Sequence, residues 1–292
     1  MALSADPHWP RSGDWPAGGD DLVDLALVGL PTFRTSLSAT GADRTPAAVR
    51  DALRFYSEFA RTPLTLRFAD FGDAPDPDAH EEGATALVAR AAAVSRLVVA
   101  LGGDNAATVP AALGTWGSRT NSAGLVTLDA HHDLRDGVSN GSPVRRLIEL
   151  GLAGTRVVQV GIADFANSAY YADRAADFGI TVIHRDELHR RPMADVMAEA
   201  LEIAGAAGGP VHVDLDVDVC DRSVAPGCPA SVPGGIAAHE LRAAARAAGA
   251  HASVESIDLT EVDATADTAD QRTIRLVALC VLEAAAGLGS RA

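Results

Sequence analysis

Four times along this chain a short apolar run breaks off into polar and acidic residues, and few folds can use that pattern. The runs end at Gly102-Gly103-Asp104-Asn105, at Asp129-Ala130-His131-His132-Asp133, in the acidic stretch 214–221, and at Thr260-Glu261-Val262-Asp263. Apolar runs of this length, bounded by turn residues, read as buried strands. Stretches of helical length separate them, so strand and helix alternate from about residue 22 to the end. That rhythm is the signature of a parallel sheet covered on both faces by helices, where ligands bind at the carboxyl ends of the strands. The chain is therefore expected to be an α/β protein, a single-domain three-layer α/β/α fold with a mostly parallel central sheet. Residues 1–20, rich in Pro, Gly, Trp and Asp, read as an N-terminal arm, and residues 21–292 as the domain.

The second cluster is the most telling. The run 125–128 ends in Asp129, His131, His132 and Asp133, hard and borderline donors spaced closely enough to converge on a divalent ion. Burying them bare is expensive, and a cation removes most of that cost. The stretch 211–218 alternates as a strand, which puts Asp214, Asp216 and Asp218 on one face. Three like charges there raise one another's pKa unless solvent or metal receives them. One such Asp-x-Asp is most simply a solvated strand edge; two clusters, each ending an apolar strand, favour metal.

Other strands are expected at 25–29, 97–101, 156–162, 180–184 and 254–259. Helices are expected at 45–56, opened by Pro46, and at 84–94, 166–177, 193–204, 238–248 and 270–286, with a loop over 72–82. Residues 137–141 spell Gly-x-Ser-x-Gly, yet no strand precedes them, so they are not a nucleophile elbow.

Composition removes several function classes. A formal charge of −15 argues against nucleic acid or an anionic membrane as partner. All 24 basic residues are arginine, which excludes a P-loop lysine, a pyridoxal Schiff base and a lysine general base. Three cysteines without Cys-x-x-Cys spacing fit a reducing compartment, so a cytoplasmic protein is expected. No uninterrupted apolar run reaches the length of a membrane span, because Arg, Asp or Glu breaks each one.

Taken together, the four clusters resemble the ureohydrolase family of arginases, agmatinases and formimidoylglutamases, over most of the chain. The resemblance implies an arginase-like fold and two Mn²⁺ ions per chain. Its Asp-Ala-His-x-Asp motif carries over to Asp129, His131 and Asp133. Its second motif, two ligand aspartates followed by a third Asp and an Ala-Pro, fits Asp216 and Asp218 with Asp221 and Ala225-Pro226, and leaves Asp214 as an outer neighbour. Asp129 and Asp216 are expected to bridge the ions. Asn105 stands where the family usually has histidine; an amide oxygen is the poorer donor, so the ion it touches is expected to bind more weakly.

By the same resemblance, Glu261 and Asp133 are the catalytic carboxylates, with Glu261 pairing an amidino nitrogen of the substrate. The stretch Ser139-Asn140-Gly141-Ser142-Pro143 followed by Arg145 looks like the formimidoylglutamases, where arginases and agmatinases carry His-Gly. Asn140, Arg135 and Arg145, with Arg146 beside them, are the candidate contacts for an anionic amidine. The implied reaction is hydrolysis of N-formimidoyl-L-glutamate to L-glutamate and formamide, as in histidine degradation, by a homo-oligomer. Two alternatives stay open: a guanidino hydrolase of the agmatinase or guanidinobutyrase type, and a catalytically silent relative that binds a ligand or partner.

Overall fold

The computed structural model describes residues 6–291. Among the described residues ten strands form in chain order. They are β1 (Leu25–Leu30), β2 (Phe59–Ala60), β3 (Thr62–Pro63), β4 (Phe68–Asp73), β5 (Leu97–Gly102), β6 (Gly124–Leu128), β7 (Val157–Ile162), β8 (Thr181–His184), β9 (Val211–Asp216) and β10 (Val254–Thr260). β2 and β3 make a small antiparallel hairpin; the other eight form one sheet in the order β4-β1-β5-β10-β9-β6-β7-β8, parallel throughout.

Side-chain alternation then builds three layers. Leu25, Leu27, Val99, Val126 and Val213 face helices Thr45–Leu53, Met193–Ala204, Ala238–Ala250 and Arg272–Leu288 in one core. The intervening Ala26, Val28, Val98 and Ala100 face helix Glu81–Val94 on the other side, and Leu125 and Val157 face helices Thr108–Trp116 and Pro143–Glu149 there. The strands are apolar on both faces because both faces are covered. The expected α/β/α architecture is what the chain adopts.

The strand order positions everything functional. β5, β10, β9 and β6 are neighbours, so the four clusters that follow them meet along one rim of the sheet although they come from distant parts of the chain. The order changes direction within this group, which makes it the crevice where open α/β sheets bind ligands.

Three expectations are corrected. β9 stops at Asp216, and residues 217–219 form a 3₁₀ turn in which Asp216 Oδ1 accepts the N–H of Asp218 at 2.9 Å. The alternation thus breaks, and Asp218 leaves the face that Asp214 and Asp216 share. β4, with polar residues inside it, carries no clean periodic signal, and its end enters the expected loop 72–82. Helix Glu81–Val94 also starts three residues before its expected first residue, with Glu81 and Glu82 suited to a helix amino terminus.

The N-terminal stretch, within its described part, lies along the sheet edge. Trp15 stacks on Phe68 at 4.5 Å, and the backbone of Asp70 is bracketed by Pro16 O and Gly18 N, each at 2.8 Å. An otherwise open edge strand is thereby covered.

Candidate metal centre

Close backbone approach builds the first wall of the site. A Cβ on Gly103 would lie 2.1 Å from the carbonyl oxygen of Thr32, so only glycine lets β5 turn into Asp104 and Asn105 there. Asp104 caps the short helix that follows, accepting from Ala106 N at 3.2 Å and from the Ser36 hydroxyl at 2.6 Å.

At the end of β6 the chain folds tightly over its own carboxylates. Asp129 Oδ1 accepts the N–H of His131 at 2.6 Å, and Asp218 Oδ1 accepts that of Ala130 at 3.1 Å. Asp133 adopts φ 53°, and Glu261, at the end of β10, φ 60°. Left-handed backbone is unfavourable for such residues, and strain of this kind gathers at functional sites.

Two groups of donors converge. Asp129, His131 and Asp218 offer atoms within 4.8 Å of one another, as do Asp129, Asp133 and Asp216. Asp129 belongs to both; Asp216, expected to bridge as well, gathers only with the second group. His131 Nδ1 lies 2.9 Å from Asp218 Oδ2 and 3.4 Å from Asp129 Oδ1. Asp129 Oδ2 is buried without a hydrogen-bond partner. A buried carboxylate oxygen aimed into a set of oxygen and imidazole donors is what a divalent ion satisfies, so these residues fit a metal pair.

The electrostatics agree. Burial and the nearby Asp218 push Asp129 up to about 6, against the hydrogen bonds from His131. Burial and carboxylate repulsion also raise Asp133, by Asp129, and Asp216, by Asp218 and Asp129. For His131, burial favours the neutral ring, but Asp218 and Asp129 overcome it and carry the imidazole to about 12. Asp218 moves the other way: burial raises it, and His131 more than reverses this. The site is a concentrated negative field held together by one imidazolium, a role a metal cation takes over on binding.

Glu261 stands at the cavity wall. Its Oε1 accepts the Asn105 N–H and the Asn140 Nδ2–H, both at 2.8 Å. Burial, with repulsion from Asp104 and Asp218, pushes it up to about 8 despite those donors. Asn140 Oδ1 in turn accepts the Leu37 N–H at 3.1 Å, tying the 35–38 loop to the site. A cavity of about 460 Å³ opens over these groups, lined also by Arg135, Phe165, Asn167 and Tyr171.

The structure assigns the remaining candidates differently. Arg135 reaches the cavity with its guanidinium 5.9 Å from the Tyr171 ring, and no carboxylate pairs with it among the described residues. Arg145 does not line the cavity: its guanidinium donates to the carbonyls of Arg135, at 2.6 Å, and Gly137 and pairs with Glu149. Its donors are spent holding the loop in shape. Arg146 is likewise spent, in a bidentate pair with Glu81 at 2.7 and 2.8 Å. His132, just after β6, lines the cavity but its Nδ1 is tied to β7, 2.7 Å from Gln159 Oε1, and it joins neither donor group.

Asn105 is present, but its amide is turned against expectation. Nδ2 donates to Asp133 at 2.5 Å, whereas Oδ1 faces the hydroxyls of Thr108, at 2.6 Å, and Thr260, at 3.0 Å. The nitrogen, not the oxygen, points at the candidate ligands.

Sequence reasoning missed Asn167, which follows β7. Its side chain accepts from His132 N at 3.0 Å and donates to the carbonyls of Ala130, at 2.8 Å, and Ala163, at 3.2 Å. Nothing in the surrounding polar loop marks it, since its partners are backbone atoms of a distant segment.

An open parallel α/β sheet with paired carboxylate and imidazole donors at a change of strand direction defines a metallohydrolase-like class of protein. The Arginase family model matches residues 23–287, and the chain belongs to that family. It is similar to the formimidoylglutamase of Halalkalibacterium halodurans, 30% identical over 281 residues that cover 90% of this chain and 87% of the relative. It also resembles that of Bacillus subtilis, 30% identical over 92% of this chain and 89% of the relative. The crystal structure of the Bacillus subtilis formimidoylglutamase superposes with a TM-score of 0.92 at 27% identity, covering 99% of this chain and 95% of the other. A Trypanosoma cruzi formiminoglutamase solved with two Mn²⁺ has the same fold, with a TM-score of 0.83 at 23% identity over 92% and 94%.

Proposed function

We propose that the protein is a manganese-dependent formimidoylglutamase that hydrolyses N-formimidoyl-L-glutamate to L-glutamate and formamide. The observation that carries the reading is Asp129, shared between two converging donor groups, with Glu261 held beside them. The formimidoylglutamases of similar length over nine-tenths of the chain, and the manganese in the Trypanosoma cruzi relative, support it.

Asp129, His131 and Asp218 would hold one ion, and Asp129, Asp133 and Asp216 the other, which the Asn105 amide beside Asp133 would join once its oxygen is turned inward. When bound, the pair supplies Lewis acidity that brings the pKa of a water toward neutrality. The protein's own groups do the rest. Glu261, fixed by the Asn105 N–H and Asn140, presents an acceptor to the N–H of the formimidoyl group and orients its carbon. Addition of water there breaks the bond to the glutamate nitrogen, which takes up a proton as formamide departs. Arg135, free of carboxylate partners among the described residues, offers a planar fork to a substrate carboxylate. Asp133, beside the Asn105 amide, is placed to hold a proton in transit.

Arg135 also ranks the rivals. Agmatine would bring a second cation toward it, whereas a guanidino acid would not, and a guanidinopropionase of Pseudomonas aeruginosa is 34% identical over 70% of this chain. A manganese-loaded panel of formimidoylglutamate, guanidinopropionate, guanidinobutyrate, agmatine and arginine tests the reading. Glutamate and formamide should form fastest from the first. Faster urea release from a guanidino acid would move the assignment to that substrate, and a protein that takes up no manganese would be a silent relative.

A further inference from the structure

Behind the metal centre a buried polar chain runs from Asn105 into the sheet, and one of its members has no evident structural reason to be a carboxylic acid. Asp214, in the middle of β9, is wholly buried, and its Oδ2 has no hydrogen-bond partner. Its register neighbour on β10 is Asp258, both of whose carboxylate oxygens also lack hydrogen bonds, with His212 Nε2 3.2 Å from Asp258 Oδ2. Two carboxylates side by side in a sheet interior destabilise the fold relative to apolar side chains. Asp214 is in neither converging donor group, so metal ligation does not account for it.

What Asp214 does touch is Thr260. The Thr260 hydroxyl lies 3.3 Å from Asp214 Oδ1 and 3.0 Å from Asn105 Oδ1. A hydroxyl has one proton and can give it to only one of them. If it goes to Asn105, that amide oxygen receives two hydroxyl donors, Thr108 and Thr260, and the amide nitrogen is left facing Asp133. If it goes to Asp214, the Thr260 oxygen becomes an acceptor. The amide can then turn over, give its two N–H hydrogens to the Thr260 and Thr108 oxygens as the Thr108 hydroxyl also rotates to accept, and bring its own oxygen to the side of Asp133. The two ends of a carboxamide have nearly the same shape, so a half-turn about its terminal torsion exchanges donor and acceptor without changing the space the side chain fills.

We propose that Asp214 is a positioning residue: the amide stands nitrogen-first in the metal-free geometry, and when a cation occupies the centre Asp214 takes the Thr260 hydroxyl proton as a hydrogen bond and so lets the Asn105 amide turn oxygen-first. The inference rests on the metallohydrolase reading above, and its failure is separable from failure of that reading. It explains why the sheet interior keeps a carboxylate. In this chain an amide stands among the candidate ligands, and an amide, unlike an imidazole, must be held oxygen-first.

The experiment is a Mn²⁺ titration of metal-stripped protein, followed by calorimetry and by the manganese electron paramagnetic resonance signal. Asp214→Val removes the acceptor and should weaken one of the two binding steps by about 10- to 100-fold, the usual cost of losing an outer partner, leaving the other unchanged. Asp214→Asn, which keeps an acceptor oxygen of the same shape, should restore that step. Thr260→Val, acting from the other side of the same contact, should reproduce the loss and stands in if Asp214→Val does not fold. In an Asn105→His background, where there is no amide to orient, neither valine substitution should change affinity. Wild-type affinities in both valine variants, equal weakening of both steps, or a loss that persists with histidine at 105 would overturn the inference and leave the metallohydrolase reading standing. A wild-type protein that binds no manganese would overturn both.

Discussion

Asp129 and Asp218 sit within one cluster but have different consequences, because Asp129 contributes to both donor groups and Asp218 to one. Asp129→Ala should abolish binding of both ions, whereas Asp218→Asn should abolish only the one beside His131; metal analysis of the purified variants reads this directly. Retention of two ions by the Asp129 variant would move the centre elsewhere. The two arginines divide in the same way. Arg135→Gln should raise the KM for an anionic amidine by about 10- to 100-fold, the worth of a charge-assisted hydrogen bond, with Tm unchanged because the side chain pairs with no carboxylate among the described residues. Arg145→Gln should do the reverse and lower Tm, since it leaves the carbonyls of Arg135 and Gly137 without their donor. A KM effect confined to Arg145 would show that the loop, and not Arg135, meets the substrate.

At the scale of elements, the site is the place where β6 is tied to β7 through Asn167. Its side chain holds Ala130 and His132, the neighbours on either side of His131. Asn167→Ala should therefore weaken the His131 ion selectively, by about 10- to 100-fold; unchanged affinity in a Mn²⁺ titration would mean that the turn holds itself. Such ties mark the boundary of what the amino-acid sequence discloses. Apolar runs at 97–101 and 125–128 are legible as strands, because burial on both faces leaves no other use for them. The clusters at their ends are legible as chemistry, because bare carboxylates are not buried without cause. The side-by-side order of β5, β10, β9 and β6 is a property of the crossovers and has no local signal. The turn after Asp216 is hidden by an alternation that continues through Asp218 while the backbone does not. Asn167, and the arginines spent on carbonyls, escape notice because backbone partners leave no residue pattern.

For the whole molecule, the cluster of buried carboxylates couples stability to pH and to metal. In the metal-free protein Glu261 holds its proton up to about 8, against an ordinary value of 4.5 for glutamate, and Asp129 up to about 6 against 3.8. Between the two values of each group the folded state binds more protons than the unfolded chain, so stability is fully present at the acid end and falls as pH rises. His131 has the same sign. Its pKa of about 12 lies above the ordinary 6.5, so the stability it contributes is present below 6.5 and is lost as pH climbs toward 12. Asp218, lowered in the fold, acts oppositely but only in acid, below its ordinary 3.8. The Tm of metal-stripped protein should accordingly fall from about pH 5 to about pH 8. Mn²⁺ binds the deprotonated carboxylates and the neutral imidazole, and so stabilises most where the bare site repels itself most. The rise in Tm on adding Mn²⁺ should thus be larger at about pH 8 than at about pH 5, measured by scanning calorimetry at fixed metal excess. A metal-stripped protein whose Tm is flat or rising across that window would show that these carboxylates are not what limits it.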